Sequence, residues 1–333
     1  MGLREYILKR SINSIILFFA VLIFNFFLFR IPTFFFGVDP ADLYMQAGME
    51  PETLEYLRSA WGIPQPGAGP SEWFGHFIRY IGNMVTLNFG FSFRSFRPVA
   101  QEIALRLPNT LILLGTASML MVLLGLVVGI IAASKHGTKT DVSLITVALS
   151  FYSLPIFWLG ILSLVIFGFY LDLVPLTGGT ISYPPPTDPL MYVLDYLHHL
   201  ALPATVLTIG GFGSYMLLMR NSLIDVMTED YIITAKAKGL DNRTILYRHA
   251  LKNAILPMIT LIAMNFAFIV SGAVLTETVF SWYGMGRYLY ESLFAQDWPS
   301  SQAIFFVIAV CVILANFIAD LLYAVLDPRV RYE

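Results

Sequence analysis

The 333-residue chain is poor in charge and almost without cysteine. Only 13% of its residues are Asp, Glu, Lys or Arg, where soluble domains carry about 25%. That scarcity excludes a soluble enzyme and a disordered scaffold. A lone cysteine, Cys311, excludes a disulfide framework, a multi-cysteine zinc site and an iron–sulfur cluster. No phosphate-binding loop of the form GxxxxGKS or GxxxxGKT occurs, so any ATP-driven step must come from another subunit. Nor is there a basic excess to draw nucleic acid, since 20 Lys and Arg face 22 Asp and Glu. What abounds is apolar surface: 57% of the residues are hydrophobic, and the mean hydropathy is +0.71. An integral membrane protein follows.

A helix needs about 20 mostly apolar residues to cross a bilayer. Six stretches meet that length, Ile12–Phe29, Leu107–Ala133, Val142–Tyr170, Leu200–Met219, Ala254–Leu275 and Ala303–Leu326. The fourth is interrupted by Gly210, Gly211 and Gly213. None alternates in the manner of a barrel strand, so the fold class expected is all-α with six transmembrane helices. The first apolar run is longer than a signal-peptide core, and no small-residue cleavage site follows Phe29, which reads as an uncleaved anchor. With the N-terminus in the cytoplasm, 13 of the 20 Lys and Arg fall on that side, including Arg4, Lys9, Arg10, Lys135, Lys139, Arg220, Arg329 and Arg331. Both termini are then cytoplasmic. The chain divides into a transmembrane helix at 1–30, an extracytoplasmic segment with short helices at 31–106, and a five-helix core at 107–333 with a cytoplasmic loop at about 220–254.

In the outer segment, Asp39-Pro40 and Glu50-Pro51 look like helix starts, and the Pro- and Gly-rich run from Gly62 to Pro70 marks a loop. Phe74, Phe77, Ile78, Ile81 and Val85 then repeat at helical spacing. This amphipathic helix either lies at the outer membrane surface or packs on the outer ends of the spans. Leu171 to His199 reads as an irregular loop, rich in Gly and Pro, followed by a short helix.

The cytoplasmic loop is the sharpest feature. Leu223, Met227, Tyr231 and Ala235 recur every four residues and give one helix an apolar stripe. Gly239 stands where a left-handed cap would end that helix, with Lys236 and Lys238 in its last turn. A second short helix, from Asn242 to about Leu251, leads on to the fifth span. Such a hairpin either projects into a partner protein or anchors to anionic lipid through its lysines.

The loop resembles the cytoplasmic signature of binding-protein-dependent ABC importer permeases, which opens Glu-Ala-Ala and runs past a Gly to Ile-x-Leu-Pro. Ala235 and Gly239 fall on the second Ala and the Gly, while Ile233 and Thr234 replace the Glu and the first Ala. These differences match the dipeptide/oligopeptide/nickel permease family, whose loop is similar to Tyr231-x-x-Thr234-Ala-Lys-Ala-Lys-Gly239-Leu240 followed by Arg248-His249-Ala-Leu-Lys-Asn253-Ala-Ile-Leu-Pro257. Three further blocks resemble that family in order. They are Phe89–Arg94 with Arg97-Pro98-Val99 and Arg106–Thr110, then Glu277–Ser281 with Gly284–Arg287, then Asp320–Tyr323 with Leu326–Arg329. The short N-terminus and long first outer segment resemble the first permease of such a system. The resemblance implies a type I ABC importer fold in the cell membrane of a prokaryote. It also implies a second homologous permease, two ABC ATPase subunits that supply ATP and Mg, and an extracytoplasmic solute-binding protein, with no cofactor in this chain. Coupling to the ATPases would fall to Asp230, Tyr231, Thr234, Ala235, Lys236, Ala237, Lys238, Gly239, Leu240, Arg248, His249 and Asn253. Members of the family carry di- and oligopeptides, nickel chelates or oligosaccharides.

Other polar residues in and near the spans admit two readings. Asn265, Ser271, Gly272 and Asn316 suit either a translocation pathway or ordinary helix–helix packing. Glu277 and Asp320 could join that pathway or serve the rival mechanism, a proton-coupled secondary transporter, because carboxylates within a membrane are costly. His198 and His199 are adjacent and point apart on a helix, which suits interfacial polarity better than metal ligation.

Overall fold

The computed structural model describes residues 3–36, 52, 69–176, 179–259, 261–262 and 274–326. Among these, the regular structure is helical, apart from an isolated bridge between Phe91 and Pro98. In chain order the helices used below are α1 (Leu3–Phe36), α2 (Pro70–Val85), α3 (Val99–Ser134), α4 (Lys139–Tyr152) and α5 (Ile156–Ser163), which continues as a π-helical turn through Leu164–Tyr170. Then come α6 (Pro189–Val226), α7 (Asp230–Ala237), α8 (Asn242–Thr244), α9 (Val274–Val279), α10 (Met285–Phe294) and α11 (Trp298–Leu326). The helices α1, α3, α6 and α11 are long and apolar enough to cross a membrane.

Three expectations are corrected. The third span is not one straight helix: α4 and the α5 stretch meet at 94°. Pro155 has extended backbone, and a residue before proline is driven out of the helical region, so the chain turns at Ser153-Leu154-Pro155. The glycines at 210, 211 and 213 do not interrupt the fourth span, and no loop separates it from a short preceding helix. A single helix runs from Pro189 to Val226, started by the Asp188 side chain, which accepts from the Met191 amide. The apolar stripe from Leu223 to Ala235 spans two helices, with a break at Met227–Glu229. The helix starts expected at Asp39-Pro40 and Glu50-Pro51, and most of the fifth span, lie outside the described residues.

The amphipathic helix forms as α2 and packs on a span. One face packs on α1, with Phe26 against Trp73, Phe77 and Tyr80 at 5.1 to 6.5 Å between ring centroids. Phe74 and Ile78 stay exposed on the other.

Residue contacts fix the direction of each helix. α3 and α6 run parallel: Tyr196 meets Asn109, Thr208 meets Ala117, and Met216 faces Gly125 and Gly129. They pack closely because Gly125 and Gly129 form a small-xxx-small stripe, where a Cβ on Gly129 would come within 2.8 Å of the Met216 carbonyl. α1 and α11 run antiparallel, with Arg10 paired to Asp320 at 3.3 Å, Phe18 against Phe306, and Asn25 donating to the Gln302 carbonyl at 3.1 Å. The bundle therefore has two distinct ends. One gathers the starts of α3, α6 and α11 with α9 and α10; the other gathers the ends of α3 and α6 with the 220–254 hairpin.

Candidate coupling site

The hairpin stands on a packed base. α6 ends with Leu223 buried, and after the break α7 turns Ile232 and Ala235 inward. These join Tyr215, Met219, Ile245, Ala250, Ala254 and Met258 in one apolar cluster. The opposite face of α7 is open: Asp230, Tyr231, Ile233, Thr234, Lys236, Ala237 and Lys238 are exposed, with Gly239 and Leu240 beyond them. The fixed side of α7 is Ile232 and Ala235, three residues apart, while Tyr231 of the expected stripe lies on the free side. Ala235, expected among the coupling residues, belongs to the fixed side.

The tip is a Schellman closure. The Gly239 amide donates to the Lys236 carbonyl at 2.9 Å, and the Leu240 amide reaches the Ala235 carbonyl at 3.4 Å. Gly239 adopts φ +77, the left-handed region anticipated from its position after two lysines. Asp241 then opens the return segment by accepting from the Thr244 amide at 3.1 Å. Its hydrogen bonds with Thr244 hold its carboxyl below the usual carboxylate range.

The return arm is α8, a π-helical stretch at Ile245–Ala250 and a last turn at Leu251–Ala254. The expected second helix is present in this form. Asn253 donates to the Tyr231 hydroxyl at 2.7 Å and ties the two arms together. Two of the expected coupling residues are thereby in contact. Arg243, Thr244, Tyr247 and Arg248 line an open cavity of about 400 Å³ on the return arm. His249 is half-buried beside them.

The pathway candidates are scattered. Asn265, Ser271 and Gly272 lie outside the described residues, and Asn316 is exposed on α11. Glu277 is fully buried at the other end of the bundle, where its carboxylate accepts from the Thr110 hydroxyl at 2.7 Å and the Arg287 amide at 3.0 Å. It thus closes the start of α10, an arrangement a carboxylate at a helix N-terminus favours. Asp320 instead pairs with Arg10, so the two carboxylates occupy separate networks. His198 and His199 each turn a ring nitrogen to a backbone carbonyl, of Leu173 and Asp195, both at 2.8 Å.

Two family models match the chain. Residues 125–332 match the family described as binding-protein-dependent transport system inner membrane component, and residues 3–114 match its N-terminal companion. The chain belongs to this permease family. It is an inner membrane component of an ABC transport system. The oligopeptide transport system permease protein AppB of Bacillus subtilis is 31% identical over 98% of this chain and 99% of its own. The di/tripeptide permease DppB of Pseudomonas aeruginosa is 32% identical, with 99% of each chain covered. The glutathione permease GsiC of Escherichia coli is 33% identical over the same shares.

Sequence reasoning missed two features of this permease. Gly125-x-x-x-Gly129 was visible as a spacing and went unused. Arg220, counted only as a positive charge, is bound to Asp141 on α4 by two contacts at 2.7 and 2.6 Å. The signal there was Thr138 three residues ahead of Asp141, the pattern of a helix start.

Proposed function

We propose that this permease forms the translocation pathway of an ATP-driven, binding-protein-dependent importer together with a second homologous permease. Two ABC ATPase subunits bind ATP and Mg and dock on the exposed face of α7 and its Gly239 tip. An extracytoplasmic binding protein delivers solute to the opposite end of the bundle, and the chain crosses the membrane six times with both termini inside. The observation that carries the reading is the hairpin itself, an exposed face of mixed polar and apolar residues set on a buried apolar base. A lipid anchor does not require a capped, tied and internally packed tip.

Small peptides are the favoured solute, because the three relatives are named for oligopeptides, di/tripeptides and glutathione. Oligosaccharides or nickel chelates are the alternatives within the family. The test is uptake into proteoliposomes holding the full complex, with ATP enclosed on the ATPase side and a labelled tripeptide presented with the binding protein. Uptake should require both ATP and the binding protein. Uptake driven by an imposed proton gradient without ATP would overturn the reading in favour of a secondary transporter.

A further inference from the structure

The hairpin can drive the membrane helices only if its movement leaves its own base. Most of what joins α6 to its neighbours is apolar and can slide. Against α4 that packing is Phe212 and Met216 beside Ala148, with Gly213 close to the Ala148 carbonyl. Arg220, ten residues before the coupling helix α7, makes a contact of a different kind.

Its Nε donates to Asp141 Oδ1 at 2.7 Å and its Nη2 to Oδ2 at 2.6 Å, a two-pronged pairing that fixes orientation as well as distance. The side chains are only 3% and 14% exposed for Asp141 and Arg220, so water does little to loosen them. The same carboxylate accepts from the Gly137 amide at 3.0 Å, and the His136 ring nitrogen lies 3.0 Å from Arg220 Nη2. Asp141 sits in the first turn of α4, started by the Thr138 side chain. One carboxylate therefore clamps the 135–138 turn, the start of the bent span and the end of α6.

We infer that Asp141 and Arg220 are positioning residues that carry movement of the coupling hairpin into α4 and the bend at Pro155. The inference rests on the importer reading above. Tilting of α7 moves the end of α6 through their shared apolar cluster. The guanidinium fork then pulls the start of α4, whose far end is hinged at the 94° turn. A purely apolar contact at this place would let the two helices slip.

The test compares solute transported per ATP hydrolysed by the complete complex in proteoliposomes. D141L/R220M removes both charges together, so neither is stranded, and such replacements are often well tolerated in folding. It should assemble and hydrolyse ATP, with transport per ATP reduced by about fivefold or more. The charge swap D141R/R220D should recover most of that loss. Unchanged transport per ATP in assembled D141L/R220M complexes overturns the link, whether or not the swap accumulates. A swap that assembles yet couples no better than D141L/R220M overturns it too. Wild-type uptake that needs no ATP removes the importer reading itself, and is read before any variant is compared.

Discussion

At the scale of single residues, backbone conformation decides more than side-chain chemistry at the coupling tip. A Cβ added to Gly239 would meet no atom within 4 Å, so space is not what selects glycine there. The demand is φ +77 alone. A β-branched residue resists that region, at a cost of roughly 1–3 kcal/mol, whereas Asn visits it readily. Gly239→Val should therefore reach the membrane yet lose solute-stimulated ATP hydrolysis and uptake, while Gly239→Asn should keep at least half of both. Equal behaviour of the two variants in reconstituted complexes would refute a conformational role. The opposite end of the bundle shows residue chemistry used for rigidity. Arg106 lies between the rings of Tyr283 and Tyr288, at 4.0 and 4.2 Å, and pairs with Glu102 at 3.0 Å. Burial pushes the Tyr288 hydroxyl's pKa up to about 12, and that hydroxyl donates to Ser300 at 2.9 Å.

At the scale of elements, close approach between α3 and α6 depends on the absence of side chains at two positions one helical turn apart. On Gly129 even a methyl group would press on the Met216 carbonyl and the Met219 side chain, both at 2.8 Å. Gly129→Ala should lower the stability of the purified protein by about 1–3 kcal/mol, as overpacking does in tight interiors. Gly115→Ala is the matched control on the same helix, since nothing lies within 4 Å of its Cβ. It should be neutral or stabilising, because alanine is the better helix former. Similar melting shifts for the two would refute the packing argument. These glycines also show what could be read from the chain alone. Apolar length revealed four of the six expected spans as long helices, and the glycine after two lysines revealed the left-handed end of α7, because both signals are local. The unbroken α6 was hidden, since glycine reads as a breaker until a partner helix is known to press against it. The pairing of Asp141 with Arg220 joins residues 79 positions apart, and local periodicity carries no trace of such a contact.

At the scale of the whole molecule, helix direction constrains how often the chain crosses the bilayer. α3 and α6 run parallel, so the chain between them returns from one end of the bundle to the other, and α4 with α5 is long and apolar enough to do so as one bent span. Ala254 and Met258 pack with the end of α6, whereas Glu277 is bound to Thr110 near the start of α3. Met258 and Glu277 therefore lie at opposite ends of the bundle. α1 lies antiparallel to α11, which brings Arg10 beside Asp320. These directions are consistent with the six crossings proposed above, and the positive-inside rule predicts a cytoplasmic hairpin end from its Lys and Arg. Labelling tests the assignment directly. With half-buried Cys311 changed to Ser, cysteines replacing the exposed residues Ser134 and Thr228 should react with impermeant thiol reagents only from the cytoplasmic side. One replacing exposed Thr187, just before α6, should react only from outside. Labelling of Thr228→Cys from outside would invert the orientation, and an inverted hairpin has no ATPase to meet. Labelling of Ser134→Cys and Thr228→Cys from opposite sides would instead break the parallel pairing of α3 and α6, because Ser134 closes α3 and Thr228 follows the end of α6.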